Sequence, residues 1–150
     1  MEEDPFNLSR FLTVQEGIYE RALAELRRRE KENHWMWFIF PQIDGLGRSE
    51  MARHYAIKSR QEAVAYLQHP LLGSRLLECS EALLGIESKT VSEIMGYPDD
   101  LKLNSSMTLF AAVSDEGSVF HRVIDRYFQG QADRATHVIL ARGGKTVIRI

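Results

Sequence analysis

The stretch HWMWFIFPQ at residues 34–42 decides how this chain can fold. Six consecutive large apolar residues, from Trp35 to Phe40, end at Pro41. Because an exposed patch of this size would promote aggregation, we expect the run to be largely buried. Periodicity does not distinguish helix from strand in so short an apolar run, and both structures stay open at this point.

Helical signals dominate the sequence on both sides of this run. Apolar residues recur every three or four positions from Leu8 to Leu26, which predicts one long first helix. The helix starts and stops that follow are mutually consistent: Ser49, Ser59 with Glu62, Pro70, Thr90 with Glu93, Pro98 and Asp133 indicate starts, and Gly85, Gly96 and Gly130 indicate ends. We therefore predict an all-α fold, with residues 1–140 forming a single compact domain of about seven helices in an irregular orthogonal bundle. Residues 141–150 alternate apolar and polar types, but a lone strand would have no partner, so we expect a loosely packed C-terminal tail.

Composition narrows the class of protein. The chain has 150 residues and a net charge of −2, with Lys and Arg interspersed among Asp and Glu, which disfavours nucleic-acid binding through bulk charge. A single cysteine, an acidic N-terminus and the lack of a long apolar run predict a cytoplasmic protein without a membrane segment. The five histidines lack metal-ligand spacing, so we expect no metal site, and we expect no cofactor. The oligomeric state stays open.

The motif at 34–42, followed by Gly45-Leu46-Gly47, is similar to the signature of a bacterial family known as domain of unknown function 1810. The resemblance covers residues 5 to about 140, and it includes residues 55–57, 66–67, 69–73, 75–76, 98–100, 105–110 and 127–128. Members are sometimes labelled calpastatin, a label that nothing in this sequence supports. Arg29 stands where the family often carries glycine. The resemblance implies an all-helical fold, and it implies no activity.

Three segments carry candidate site residues. His34, Trp37 and Gln42 could bind a planar ring by stacking and hydrogen bonding, although core packing explains the aromatic run equally simply. Gly45 and Gly47 could let an anion approach backbone N–H groups, and the simpler interpretation is a tight turn. The third candidate segment contains Lys102, Ser105, Ser106 and Thr108.

This third segment admits two interpretations. Its hydroxyls could serve tight helix packing, or they could form a polar cavity wall in which Lys102 binds an anion. A nucleophilic pair of Lys102 with Ser106 is disfavoured, because the sequence shows no oxyanion hole. Asp99, Asp100 and Asp133 are the available general bases, but their positions at helix starts favour capping.

Two functional hypotheses follow. In the first, the protein binds a small anionic nucleotide-like or ADP-ribose-like ligand, and a stronger version of this hypothesis adds that it hydrolyses the ligand. Both versions require His34 and Lys102 to line one concave site. A fold-level analogy to small helical bacterial proteins that cleave N-glycosidic bonds supports it only weakly. In the second, the protein is a non-catalytic helical protein-interaction module with a contiguous apolar surface patch. We favour the first, because the chemically distinctive residues gather in segments 34–49 and 99–108. Whether the protein is an enzyme, and by which catalytic residues, stays open.

Overall fold

The computed structural model describes the backbone of residues 3–147 and the side chains of residues 3–142, and every regular element within them is a helix. Ten helices are present in this part of the chain, and seven of them contain seven residues or more, so the all-α prediction is confirmed. They are α1 (Ser9–Gln15), α2 (Tyr19–Arg27), α3 (Met36–Ile39), α4 (Glu50–His54), α5 (Arg60–Gln68), α6 (Leu72–Leu84), α7 (Val91–Met95), α8 (Asp99–Ala112), α9 (Val119–Phe128) and α10 (Arg134–Val147).

The single long first helix predicted from periodicity is wrong. Helix α1 ends at Gln15 and α2 begins at Tyr19, because Glu16 is extended and Gly17 has a φ of +79°. The apolar spacing nevertheless continues across the break, since both helices bury their apolar residues in one hydrophobic core. Beyond α2, Arg29 has a φ of 68°, a left-handed conformation that glycine adopts more readily.

The aromatic run at 35–40 forms the short helix α3 and its flanks. Five of its six residues are buried, and Trp37 is the half-buried exception. The indole N–H of Trp35 donates to the Glu25 carboxylate (2.8 Å), which also accepts the backbone N–H groups of Glu32 and Asn33 and the Asn33 side-chain amide. Burial alone would raise the pKa of Glu25, but these hydrogen bonds lower it to about 2. The start of the run is thus fixed to α2 by a buried carboxylate.

Most predicted caps occur where the sequence places them. Ser49 caps α4, and Thr90 forms a complete capping box with Glu93. Ser59 also caps α5, but the predicted box there is wrong in its second half, because the Glu62 carboxylate binds Arg10 and the Lys58 N–H instead. The predicted left-handed stop at Gly85 is likewise wrong, since Gly85 ends α6 with an ordinary φ of −77°.

Helix α8 is the central element of the fold. It packs against α5, α7, α9 and α10, and nine of its fourteen residues are buried. Helix α10, predicted to end near Leu140, continues to Val147; residues 148–150 lie outside the described residues, so the loose packing expected of residues 141–150 stays a prediction. Among the described helices, none combines the length and apolar character needed to cross a membrane.

Candidate functional site

A cavity of about 470 Å³ lies between the segment that joins α3 to α4 and the N-terminal half of α8. It therefore brings together the two segments, 34–49 and 99–108, in which the candidate residues gather. The lining residues come from three parts of the chain: Trp37, Gln42, Ile43, Leu46, Gly47, Arg48, Ser49, Ala52 and Tyr55; Pro98, Leu101, Lys102, Asn104 and Ser105; and Asp133.

Lys102 supplies a cationic group to this cavity. Its Nζ lies 4.5 Å from the centre of the Trp37 ring and 3.3 Å from Asp99 Oδ1. The other oxygen of Asp99 pairs with Lys31 at 2.7 Å, so two lysines share one carboxylate and one positive charge is left uncompensated. The side chain of Lys31 is 5% exposed and that of Lys102 is 27% exposed, so Lys102 is the ammonium group that a ligand can reach.

Two neutral polar groups also reach the cavity wall. Neither the indole N–H of Trp37 nor the side-chain amide of Gln42 forms a hydrogen bond with any other residue that the structure describes. Because the Lys102 ammonium covers one face of Trp37, a ring could stack on that face only if Lys102 moved. The arrangement therefore offers Trp37 as a hydrogen-bond donor and as a support for the cation.

Asp133, which directly precedes α10, also lines the cavity and contacts Ser105 of α8. Its Oδ2 lies 3.1 Å from Ser105 Oγ and accepts the N–H of Thr136 (3.1 Å) and the hydroxyl of Thr136 (2.6 Å). Its backbone N–H donates to Thr108 Oγ1 at 2.8 Å. The second carboxylate oxygen, Oδ1, accepts no hydrogen bond from the described residues. Asp133 is thus both the N-cap of α10 and part of the cavity wall.

Four of the predicted site residues lie elsewhere. His34 is exposed and does not line the cavity, so the required sharing of one concave site by His34 and Lys102 is not met, and the first hypothesis is wrong in the form that includes His34. Ser106 is fully buried, and the hydroxyl of Thr108 is engaged by Asp133 and Asn104. Gly45 does not line the cavity and occupies a turn with a φ of +109°.

Trp37, Gln42, Gly47, Lys102 and Ser105 are the predicted residues that the fold does bring together. At Gly47 the reason for glycine is close packing, because a Cβ there would lie 2.5 Å from the Cβ of Ala52.

The sequence reasoning missed three residues of the cavity wall, Arg48, Asn104 and Asp133, as ligand-facing groups. Arg48 adjoins the glycine turn and was not among the predicted site residues, and Asp133 was named as an available general base for which capping was the favoured role. The contact between Asp133 and Ser105 joins residues 28 positions apart, and no local pattern marks it. The only signal available was the placement of a carboxylate at a helix start, which capping already explains.

A larger cavity of about 700 Å³ lies on the other side of α4, and its central cation is already engaged. The Arg10 guanidinium donates to four backbone carbonyls and forms a buried ion pair with Glu62 at 2.7 Å. Because a guanidinium has five N–H donors, these five bonds leave none for a ligand. The buried guanidinium of this cavity is therefore fully engaged, and the other cationic side chains that line it are Arg53 and Lys58.

The fold and the cavity together define a small all-helical protein built around one central helix. The chain belongs to the family described as "protein of unknown function (DUF1810)", whose model matches residues 5–140. It is similar to the crystal structure of the conserved hypothetical protein Rv1873 from Mycobacterium tuberculosis, with 48% sequence identity over 92% of this chain and 99% of that chain and a TM-score of 0.90. None of the curated proteins compared with it matches the sequence. The family resemblance and its all-helical fold are thereby confirmed.

Proposed function

We propose that the cavity beside α8 binds a small anionic ligand that also carries a ring, of nucleotide-like or ADP-ribose-like chemistry. The observation that carries the proposal is the Lys102 ammonium, which faces the cavity 4.5 Å above the Trp37 ring and is only partly neutralised by Asp99. Arg48 also lines the cavity and adds a second cation to its wall. An anionic group such as a phosphate is the natural partner of this end of the cavity.

The rest of the wall suits a ring or another flat apolar group. Ile43, Leu46, Tyr55 and Leu101 line the cavity between its polar groups. A mostly apolar wall with a few convergent polar groups is typical of small-molecule sites, and a volume of about 470 Å³ falls within their usual range. The proposal leaves out His34 and includes Arg48, Asn104 and Asp133.

The alternative, a protein-interaction module, has less support. The large apolar residues that are exposed in the described part of the chain lie on different elements, and no helix there carries two of them: Met51, Val64, Leu71, Leu77, Tyr97, Leu101 and Val138. By contrast, the cavity concentrates unpaired polar groups in one place.

Thermal unfolding of the purified protein tests the proposal. The panel contains inorganic phosphate, AMP, NAD, ADP-ribose and sugar phosphates, and each ligand is re-analysed after incubation so that turnover is detected as well as binding. A ligand present at 100 times its Kd stabilises the fold by about 2.7 kcal/mol, which raises the Tm by about 5–10 °C for a chain of this size.

Lys102→Met and Lys58→Met provide a matched pair of variants. Both remove one ammonium that lies near an aspartate, but Lys58 does not line the cavity at Lys102. We expect Lys102→Met to lose at least about tenfold in affinity for the stabilising ligand, and Lys58→Met to bind it like the wild type. An equal shift in wild type and Lys102→Met, or no shift with any member of the panel, contradicts the proposal.

A further inference from the structure

We propose that Asp133 determines the specificity of this cavity, because its Oδ1 accepts a hydrogen bond from a sugar hydroxyl of the ligand. The site would then select a ribose-bearing anion over an anion that lacks those hydroxyls. This inference rests on the proposed function and deepens it, since it names the part of the ligand that the carboxylate recognises.

The two oxygens of Asp133 have different surroundings. Oδ2 receives the Thr136 N–H, the Thr136 hydroxyl at 2.6 Å and the Ser105 hydroxyl at 3.1 Å, so the capping function needs only this oxygen. The two bonds from Thr136 and the bond from the backbone N–H of Asp133 to Thr108 orient the carboxylate, and the Ser105 hydroxyl, which also lies 3.3 Å from the Leu101 carbonyl, adds a further contact. Oδ1, which no described residue engages, is then a fixed acceptor on a residue of the cavity wall.

The neighbouring polar side chain does not compete for this role. Asn104 also lines the cavity, but its Nδ2 donates to the carbonyl of Gln131 at 3.1 Å and its Oδ1 lies 3.3 Å from the Thr108 hydroxyl. An ionised carboxylate oxygen can only accept hydrogen bonds, and a bond to it is stronger than one between neutral groups. Asp133 is therefore the acceptor at this end of the wall, and its partner must carry a donor such as a hydroxyl.

The spacing along α8 fits an anionic sugar. Lys102 and Ser105, which holds Asp133, are three residues apart, a rise of about 4.5 Å along the helix axis. The residues that supply the cation and hold the acceptor are thus neighbours on one helix and line the same cavity. A phosphate and the hydroxyls of the sugar that bears it are also only a few bonds apart, so one sugar phosphate unit could contact both groups.

Calorimetric titration with AMP, 2′,3′-dideoxy-AMP and inorganic phosphate tests this inference. In the wild type we expect AMP to bind roughly tenfold or more tightly than the dideoxy analogue, which is the usual effect of one hydrogen bond to a charged group. Asparagine is also a good N-cap, so Asp133→Asn should fold while presenting an N–H donor in place of Oδ1. In that variant the preference for AMP should fall at least several-fold, because a sugar hydroxyl can still accept from the amide N–H but the bond is no longer to a charged group.

Thr136→Val is the matched control for the capping role. It removes the hydroxyl that bonds Oδ2 at 2.6 Å but leaves Oδ1 free, so it should lower stability and keep the preference for AMP. Equal affinity of the wild type for AMP and the dideoxy analogue overturns the inference alone, as does an undiminished preference in Asp133→Asn. If the wild type binds none of the three probes, the inference is overturned, and the proposed function is overturned with it only when the whole thermal-unfolding panel also gives no shift.

Discussion

At the scale of single residues, Glu25 shows how the candidate site is held in place. It is buried, and its four hydrogen-bond donors are two backbone amides, the Asn33 side chain and the Trp35 indole. These bonds fix the start of the aromatic run two residues before Trp37. They also take up the indole N–H of Trp35, which leaves Trp37 as the tryptophan whose N–H is available to a ligand.

We predict that Glu25→Gln lowers the free energy of unfolding by about 2–3 kcal/mol at pH 7, because the amide that replaces one carboxylate oxygen cannot accept the same donors. Glu32→Gln is the control, since Glu32 is exposed and pairs only with Arg28 one turn away; it should change stability by less than about 0.5 kcal/mol. Urea unfolding monitored by circular dichroism measures both.

The comparison of wild type with Glu25→Gln also gives a prediction about pH. The pKa of Glu25 is about 2 in the folded chain and 4.5 ordinarily, so its stabilising contribution is complete above about pH 4.5 and disappears as the pH falls towards 2. The stability difference between wild type and Glu25→Gln should therefore be constant from pH 7 to about pH 5 and shrink below it. A difference that stays constant down to pH 3 would contradict this account of Glu25.

At the scale of elements, α8 fits both interpretations that the sequence left open for its hydroxyls, tight helix packing and a polar cavity wall. Its hydroxyls divide between them: Ser106 is buried in the core, whereas Ser105 contacts Asp133 at the cavity. A helix buried on most of its circumference shows little amphipathic periodicity, so the sequence could not indicate which of its residues face a cavity. The cavity face is set by the placement of the 40–49 segment and Asp133.

The break between α1 and α2 provides an element-scale prediction. Gly17→Ala should destabilise the fold by about 1 kcal/mol, because φ is +79° there. Apart from its chain neighbours, no atom lies within 4 Å of a Cβ placed on Gly17, so no steric effect is added. Gly85→Ala is the control: its φ is −77° and the nearest contact is an ordinary 3.5 Å, so stability should stay the same or rise by up to about 1 kcal/mol. Equal losses in the two variants, measured by urea unfolding, would argue against the left-handed turn as the cause of the break.

At the scale of the whole molecule, the sequence predicted the helices and their caps better than the contacts between helices. Caps such as Ser49 and Thr90 are local, because a side chain bonds an N–H three residues away, and short-range patterns detect them. The break at Gly17 was missed, because apolar spacing continues through it. The helical conformation of Met36–Ile39 within the 34–42 run could be decided only by the packing around it.

The candidate site shows the same difference between local features, which the sequence predicted, and long-range contacts, which it did not. Residues within segments 34–49 and 99–108 were identified by their types, and the fold joins most of them in one cavity. The position of His34 outside that cavity depends on where α2 and Glu25 direct the chain, which no local pattern encodes. Asp133 was underestimated for the same reason, since its partner Ser105 is distant in sequence.

The central claim, that the cavity at Trp37 and Lys102 binds a small anionic ligand, is tested most directly by NMR of the two tryptophan indole N–H groups during titration with AMP. The protein contains two tryptophans, and Trp37→Phe assigns their signals. We predict that the Trp37 signal shifts saturably while the Trp35 signal, which is bonded to Glu25 in the core, stays in place. A titration that moves neither signal, or that moves only the signal of Trp35, would contradict the claim.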